Sequence, residues 1–154
     1  MDKSFQEKIK NRLYEAWEEW KPDYDDWLKW SRSLYSPDAI IFAIGEKPQI
    51  FSEYQQSMKV QRDAFIMDMG PIESCVVQGN VIAISYNMYL TQKSEIMGLL
   101  PTGKKAMIRV AEFNTFEEMP GFDKPMVVKL EVIGGGLMEQ LVDYGPDGRI
   151  KIQQ

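Results

Sequence analysis

The apolar pattern of the chain changes once, near residue 70, and this change limits the folds that the chain can adopt. Before that point most apolar side chains recur every three or four residues, the repeat of amphipathic helices. After it they occur in long β-branched and aromatic runs that are typical of strands. Helices followed by strands indicate an α+β domain, so we expect N-terminal helices packed in the concave face of a strongly curved antiparallel or mixed sheet.

Two helices are predicted at the start of the chain. Pro22 ends the first, whose stripe is Phe5, Ile9, Leu13, Ala16, Trp17 and Trp20. The second is expected to begin at Asp23, whose side chain can cap free N–H groups, and to continue to about Tyr35. The cluster Ser36-Pro37-Asp38 is predicted to stop it in a turn, and residues 39–45 are predicted to form a short strand.

A third helix and the main strands follow. Residues 51–69 have helical spacing through Phe51, Tyr54, Met58 and Phe65, with Gly70 as the expected end. Two runs broken by Gln78-Gly79-Asn80 predict a hairpin, and residues 104–118 and 124–133 predict two further strands. A short helix is allowed over Leu137 to Val142.

Composition excludes several classes of function. The chain has 154 residues, 44% of them hydrophobic, which suits one domain with one core. We assign residues 1–142 to that domain and residues 143–154 to a C-terminal extension. The net charge of −5 without a Lys/Arg cluster argues against nucleic acid and against an anionic membrane surface. No apolar run approaches the roughly 20 residues of a spanning helix, so we expect a cytoplasmic protein.

The absence of histidine limits the chemistry further. With no histidine and one cysteine, Cys75, we expect no zinc or iron site, and no internal disulfide can form. Catalysis by a Ser-His-Asp or Cys-His arrangement is excluded in its usual form. Any acid–base work must therefore fall to Asp, Glu, Tyr or Lys, and we expect no cofactor.

Glu112 is the candidate for that work because it lies in the middle of a predicted strand. If it faces inward, it shares a face with Ile108, Val110, Asn114 and Phe116. These surroundings would raise its pKa by desolvation and let it act as a general acid or base. The alternatives are a glutamate facing solvent and a buried acid that is satisfied by a neighbour and has no catalytic role.

Two stretches carry a resemblance to a known family. One is "GLLPTGKKAMIRVAEFNTF", which is followed by a strand and then "MEQL", and the other is the earlier "LYSPDAIIFAIG". Both resemble the SnoaL-like polyketide cyclases of the nuclear transport factor 2-like superfamily. The resemblance covers residues 5–142 and implies a cone-shaped α+β barrel whose open end holds a small hydrophobic ligand. The same superfamily contains ketosteroid isomerases, dehydratases, epoxide hydrolases and binding modules.

The resemblance also assigns positions. Glu112 falls where the cyclases carry an acid/base Asp and where the isomerases carry a protonated Asp that donates to an oxyanion. The chain departs from the pattern at Gln92, where many cyclases have histidine, and at Ala43, where the isomerases have their base. Arg109 and Glu112 do not reproduce the Arg-x-Asp pattern of the epoxide hydrolases, since residues three apart on a strand face opposite sides.

Further residues are candidates for binding a substrate. Asn114, Tyr86 and Gln92 could orient a substrate oxygen, with Tyr86 on the same face as Ile82, Ile84 and Met88. Aromatic and methionine side chains on the helical stripes are more often core, but some could line a pocket. These candidates are Trp17, Tyr14, Tyr54, Met58 and Phe65.

The leading hypothesis is a cofactor-independent enzyme of the lyase, isomerase or cyclase kind. It would act on a small hydrophobic carbonyl or hydroxylated ring compound, with Glu112 as general acid/base. The alternatives are a non-catalytic module for small-molecule binding or dimerisation, and an interaction domain that uses its exposed sheet face. Because apolar residues lie on both faces of the strand at 106–116, and because superfamily members are often dimers, we expect a homodimer.

Overall fold

The computed structural model describes residues 3–141, in which helices pack against a strongly curled mixed sheet that forms a half-barrel. The helices are α1 (Lys3–Glu19), α2 (Tyr24–Leu34), α3 (Phe51–Ala64) and the short α4 (Leu137–Leu141). The strands are β1 (Tyr35–Phe42), β2 (Gln49–Ile50), β3 (Phe65–Met69), β4 (Ser74–Gln78), β5 (Val81–Gln92), β6 (Lys105–Glu117) and β7 (Met126–Ile133). The α+β class expected from the sequence is confirmed.

The sheet has the strand order β2-β1-β7-β6-β5-β3, with β4 paired to the same long strand, β5. β1 and β7 run parallel and the other pairs are antiparallel. β5 and β6 pair from Val81↔Thr115 to Thr91↔Lys105, the most extensive pairing of the sheet. These two strands therefore form the centre of the inner face of the sheet.

The first two helices form as their apolar stripes predict. Ile9 and Leu13 of α1 are buried against the sheet side of the molecule. Asp23 caps α2, its carboxylate accepting a hydrogen bond from the backbone N–H of Asp26 at 3.2 Å. None of the described helices is both long enough and apolar enough to cross a bilayer.

The prediction of one helix over residues 51–69 is wrong in its last part. α3 ends at Ala64, and Phe65–Met69 is strand β3, antiparallel to β5. Phe65 and Met67 are buried while Ile66 and Asp68 are exposed, so this segment has the two-residue period of a half-buried strand. Pairing with β5 outweighs the local helical spacing that placed Phe65 on a helix.

The prediction of a turn at Ser36-Pro37-Asp38 is also wrong. β1 begins at Tyr35 and passes through these residues, and its pairing with β7 shifts register between Tyr35 and Ile40. β2 pairs with β1 only at Ile40 and Ile41, so Pro37 lies on a stretch of β1 that β2 does not cover. A proline is tolerated at such an uncovered edge or irregularity because no ladder hydrogen bond is lost there.

The remaining expected elements are present. β4 and β5 form the hairpin, and Gly79 in its turn has φ of +60°, a conformation that favours glycine. β6 and β7 lie within the predicted ranges, and α4 follows the three glycines. Val142, the last residue of the predicted short helix, and the extension at residues 143–154 lie outside the described residues.

Candidate active site

The structure places Glu112 on the inner face of the curled sheet. In the middle of β6, it pairs with Ile84 of β5 and Val132 of β7. Alternate residues of β6 are buried, and the carboxylate belongs to this buried set, with the residue only 8% exposed. Strand alternation thus brings an ionisable group into the core beside Ile108, Val110 and Phe116.

Two neutral donors hold the Glu112 carboxyl group. The Tyr86 hydroxyl, from the inner face of β5, donates to Oε2. Asn114, two residues further along β6, directs Nδ2 at Oε1 over 3.4 Å. Tyr86 and Asn114 are almost completely buried, so both oxygens of this carboxyl are engaged by uncharged groups away from bulk water.

Burial raises the pKa of Glu112, and the hydrogen bonds from Tyr86 and Asn114 offset part of that rise. Desolvation also raises the pKa of Tyr86 well above its usual value, with the nearby Glu112 charge adding to the effect. The Tyr86 hydroxyl therefore stays protonated as a donor. The Glu112 carboxyl is the group at this site whose protonation is shifted toward neutral pH.

Glu112 lines a cavity of about 210 Å³ that opens between the sheet and α3. Its wall is mostly apolar, and its representative members are Met67, Met88, Leu90, Ile108, Val132 and Leu137. Gly135, from the three glycines after β7, also contributes to it. A cavity of this size and composition can hold a small ring compound, since an apolar cavity of roughly 150 Å³ accepts benzene.

A second, smaller chamber adjoins the first, and we refer to it as the aromatic slot. It has a volume of about 50 Å³ and is walled largely by rings, those of Trp17, Trp20, Trp27, Trp30, Tyr35 and Tyr54. The two chambers share six residues: Tyr54, Met58, Met67, Tyr86, Met88 and Glu112. Glu112 therefore lies where the wide cavity and the slot meet.

Tyr54 is the second hydroxyl at this junction. Its side chain lines both chambers, and its hydroxyl makes no hydrogen bond to another residue in the part of the chain that the structure describes. Burial raises the pKa of Tyr54, and the Glu112 charge raises it further. The Tyr54 O–H is thus a protonated donor close to the carboxyl group.

Of the other candidates from the sequence, Trp17 and Met58 lie at the site. Trp17 walls the slot, and its ring meets that of Tyr86 edge-on with 4.6 Å between centroids. Met58 lines both chambers. Asn114 contacts the carboxyl group rather than forming part of either chamber's wall.

Three candidates are placed elsewhere. Gln92 donates from Nε2 to the backbone oxygens of Ser94 and Leu99, at 3.0 and 2.7 Å, and so holds a loop together. Phe65 is buried in the core and lines neither chamber. Tyr14 of α1 is 39% exposed, lies beside Cys75 of β4 and lines neither chamber.

Sequence reasoning missed Arg62 and much of the aromatic wall. Arg62 lines the slot, one helical turn beyond Met58 and two turns beyond Tyr54. The spacing of four residues could have placed it on the same face of α3. Trp27 and Trp30 of α2 also wall the slot, although no motif in the sequence marks them.

Within residues 3–141, no group of three or more His, Cys, Asp or Glu side chains is placed to hold a metal ion. At the position of the isomerases' base, Ala43 lines the wide cavity. Glu112 is thus accompanied by hydroxyl and amide donors, while the acidic Glu46 lies further along the wall of the wide cavity.

No protein-family model and no curated protein matches this sequence. Solved structures do match it. A proposed SnoaL-like polyketide cyclase from Jannaschia sp. CCS1 is 16% identical with a TM-score of 0.64, covering 84% of this chain and 86% of its own. A proposed polyketide cyclase from Xanthomonas campestris pv. campestris is 13% identical with a TM-score of 0.68, covering 88% and 96%.

AclR, a proposed hydroxylase from Streptomyces galilaeus, is 18% identical with a TM-score of 0.62, covering 90% of this chain and 79% of its own. At these identities the similarity is one of fold. The chain has the fold of the SnoaL-like polyketide cyclases, as the resemblance in its sequence implies.

Proposed function

We propose that this chain, which has the fold of the SnoaL-like polyketide cyclases, is a cofactor-independent enzyme of the cyclase, isomerase or lyase type. Its substrate is a small hydrophobic carbonyl or hydroxylated ring compound, and Glu112 is its general acid/base. The observation that carries the proposal is the buried Glu112 carboxyl, held by two neutral donors in the wall of an apolar cavity.

The surroundings of Glu112 suit proton transfer at carbon. A carboxyl whose pKa is raised by burial is a stronger base once ionised and can also be protonated nearer neutral pH. As a carboxylate it removes a proton from the carbon beside a substrate carbonyl. The negative charge that develops on the carbonyl oxygen is stabilised by a hydrogen bond from the Tyr54 hydroxyl.

Tyr86 and Asn114 have a different role because both contact the carboxyl group itself. By donating to separate oxygens they fix its plane and limit the rise of its pKa. With Ala43 at the position of the isomerases' base, Glu112 must both take and return the proton. Return to another carbon gives isomerisation, and return to a leaving hydroxyl gives dehydration.

The experiment is hydrogen–deuterium exchange at carbon in a generic ketone. The protein is incubated with 2-tetralone in deuterated buffer, and loss of the α-proton signal is followed by NMR. We expect the wild type to accelerate exchange over buffer, and Glu112→Gln to reduce the protein-dependent rate by at least about 100-fold, the lower range for general base catalysis. The Gln variant keeps the shape of the side chain and one acceptor oxygen while removing the base.

Glu117→Gln is the matched control because Glu117 is exposed at the end of the same strand. It should exchange at the wild-type rate. Wild-type protein that binds 2-tetralone without accelerating exchange would contradict catalysis of this kind and favour the non-catalytic binding module.

We propose in addition that the protein is a homodimer through the outer face of the sheet. Val76 of β4 pairs with Ala83 of β5, which pairs with Phe113 of β6, so these side chains form an apolar row across that face. Val76 is 66% exposed and Phe113 36%, and contiguous apolar surface of this kind favours association. A charge in the row, as in Phe113→Glu, should convert a dimer to monomer in sedimentation velocity, whereas a wild type that sediments as a monomer contradicts the proposal.

A further inference from the structure

Arg62 is a buried cation at the far side of the aromatic slot. It lies on α3, on the face that carries Tyr54 and Met58 toward the sheet, and the residue is 6% exposed. The guanidinium lies near two indole rings, 4.7 Å from the centroid of Trp27 and 5.8 Å from that of Trp20. The slot therefore combines aromatic walls with one positive charge, and the Glu112 carboxyl lies at its junction with the wide cavity.

Few protein atoms accept hydrogen bonds from this charge. Nε donates to the backbone oxygen of Pro22 at 3.1 Å, and Nη1 approaches the Met58 sulfur, a weak acceptor, at 3.5 Å. Among residues 3–141, no carboxylate forms an ion pair with Arg62. Most of the five N–H donors of the guanidinium thus have no acceptor in the described part of the protein.

A charge in this position is costly unless something compensates it. Burial lowers the pKa of Arg62 and the charge of Asp23 offsets part of that change, and because a guanidinium in a protein keeps its proton, the site is positively charged. The indole faces recover part of the lost hydration through cation–π attraction. An anionic group with its own acceptor oxygens would compensate far more, because bidentate pairing with guanidinium is among the strongest polar contacts in proteins.

We infer that Arg62 forms an anion subsite, and that the ligand is a hydrophobic ring compound bearing a carboxylate. The ring occupies the wide cavity, and the carboxylate enters the aromatic slot to meet the guanidinium. This inference rests on the proposed function in that both chambers serve one ligand, but it concerns binding and does not require turnover.

The volumes of the two chambers support this division. The slot, at about 50 Å³, suits a group of a few heavy atoms, while the cavity of about 210 Å³ suits a ring. Met58 lines both chambers and its sulfur contacts Nη1 only weakly, so its flexible side chain can give way to the carboxylate.

Tyr54 links the anion subsite to the acid/base group. The pKa of Tyr54 is raised by burial and by the charge of Glu112 and is lowered by the charge of Arg62. The Tyr54 hydroxyl is therefore close enough to interact electrostatically with both side chains. A ligand carboxylate at Arg62 would hold the ring beside Tyr54. A ring oxygen could then reach the Tyr54 hydroxyl next to Glu112.

The test compares two probes of nearly the same shape, the anionic 2-naphthoate and the neutral 2-naphthamide, by isothermal titration calorimetry. We expect the wild type to bind the naphthoate at least about tenfold tighter, the lower end of what a hydrogen bond to a charged group contributes. Arg62→Gln should abolish this preference, and Arg62→Lys should keep part of it, since lysine retains the charge without the bidentate geometry.

Arg12→Gln is the matched control. Arg12 is a second buried arginine, 7% exposed, that donates to the backbone oxygen of Ser33 and lines neither chamber. Its loss should lower the melting temperature without changing the ratio of the two affinities. Thermal unfolding of each variant identifies those that are folded at the temperature of the titration.

Three results would overturn the inference: equal affinity for both probes in the wild type, a preference for naphthoate that survives Arg62→Gln in folded protein, or no binding of naphthoate. Arg62 would then serve only to hold the Pro22 carbonyl and pack on the indoles. The outcome is separable from that of the proposed function. Naphthoate binding through Arg62 without ketone exchange would indicate a carrier of aromatic acids and contradict the proposed enzyme. Ketone exchange without a preference for the charged probe would support the proposed enzyme and contradict the anion subsite.

Discussion

The two faces of the sheet present two glutamates, Glu112 of β6 and Glu73 just before β4, in opposite situations. On the inner face Glu112 is buried and accepts from the neutral donors Tyr86 and Asn114. On the outer face the exposed side chain of Arg109, also on β6, forms an ion pair with Glu73. Residues three apart on one strand thus meet two different environments, because the side chains of a strand alternate between its faces.

The difference shows why a carboxyl group alone does not define a site. Glu73 pairs with the permanently charged Arg109, and its side chain is partly exposed to water. Forming this pair replaces contacts of both side chains with water by contacts with each other, so little free energy is gained. Glu112 has given up hydration and has received only neutral hydrogen bonds, so its protonated form is favoured relative to water. Burial on the inner face, and not the carboxyl group by itself, raises the pKa of Glu112.

The largest effect that separates the two faces should be on stability. Phe116 of β6 is fully buried, whereas Phe113 of the same strand is 36% exposed on the outer face. We expect Phe116→Ala to lower the free energy of unfolding by about 3–5 kcal/mol, the cost of removing a core phenylalanine and leaving a cavity. Phe113→Ala should cost less than about 1 kcal/mol.

Urea unfolding followed by circular dichroism measures both variants, at several protein concentrations so that dissociation of a dimer is not counted as unfolding. Equal losses for the two phenylalanines would show that the outer face is as well packed as the inner one. The contrast between the faces would then be wrong.

The alternation of side chains between the two faces of β6, which creates this contrast, can be predicted from the sequence. The strand at Lys105–Glu117 and the division of its side chains between two faces follow from a period of two, whereas the contact between Glu112 and Tyr86 depends on the register of β5 against β6. The resemblance of the segment after Pro101 to the cyclases points to the same carboxyl. Local pattern sufficed because both strands are long and each has one buried face.

The parts that could not be predicted depend on contacts distant in sequence. Residues 65–69 continue a helical spacing and become a strand only because β5 is available to pair with them. The Gln92 side chain donates hydrogen bonds to backbone oxygens of a loop. The path of that loop could not be predicted from the sequence. No sequence motif surrounds Arg62. Its environment is formed by indoles of α1, of α2 and of the segment that connects them, all distant from it in sequence.

A second difference between the faces should appear as a pH dependence of stability. Because burial raises the pKa of Glu112 in the folded chain above its ordinary value of 4.5, folding favours the protonated carboxyl. Relative to Glu112→Gln, the wild type should be most stable below pH 4.5 and should lose that advantage as the pH rises through the folded pKa. The loss is about 1.4 kcal/mol for each unit by which the two pKa values differ.

Tyr86→Phe sharpens this measurement, because the Tyr86 hydrogen bond lowers the pKa of Glu112. Without that donor the window of falling stability should extend to higher pH, as measured by urea unfolding from pH 4 to 9. A difference between wild type and Glu112→Gln that does not vary with pH would mean that Glu112 titrates alike in the folded and unfolded chains. Its distinct environment would then have no energetic consequence.

The smallest effect is expected at the outer ion pair. Its side chains are 59% and 39% exposed, so solvent screens the attraction between Arg109 and Glu73. In a double-mutant cycle with Arg109→Met and Glu73→Gln, the coupling free energy should be below about 1 kcal/mol and should fall further in 1 M salt. A coupling of several kcal/mol that resists salt would mean that this face is buried in the protein as it exists in solution. Such a result would indicate that a second copy covers Arg109, and it would make the outer face an interface with energetics as strong as those of the inner one.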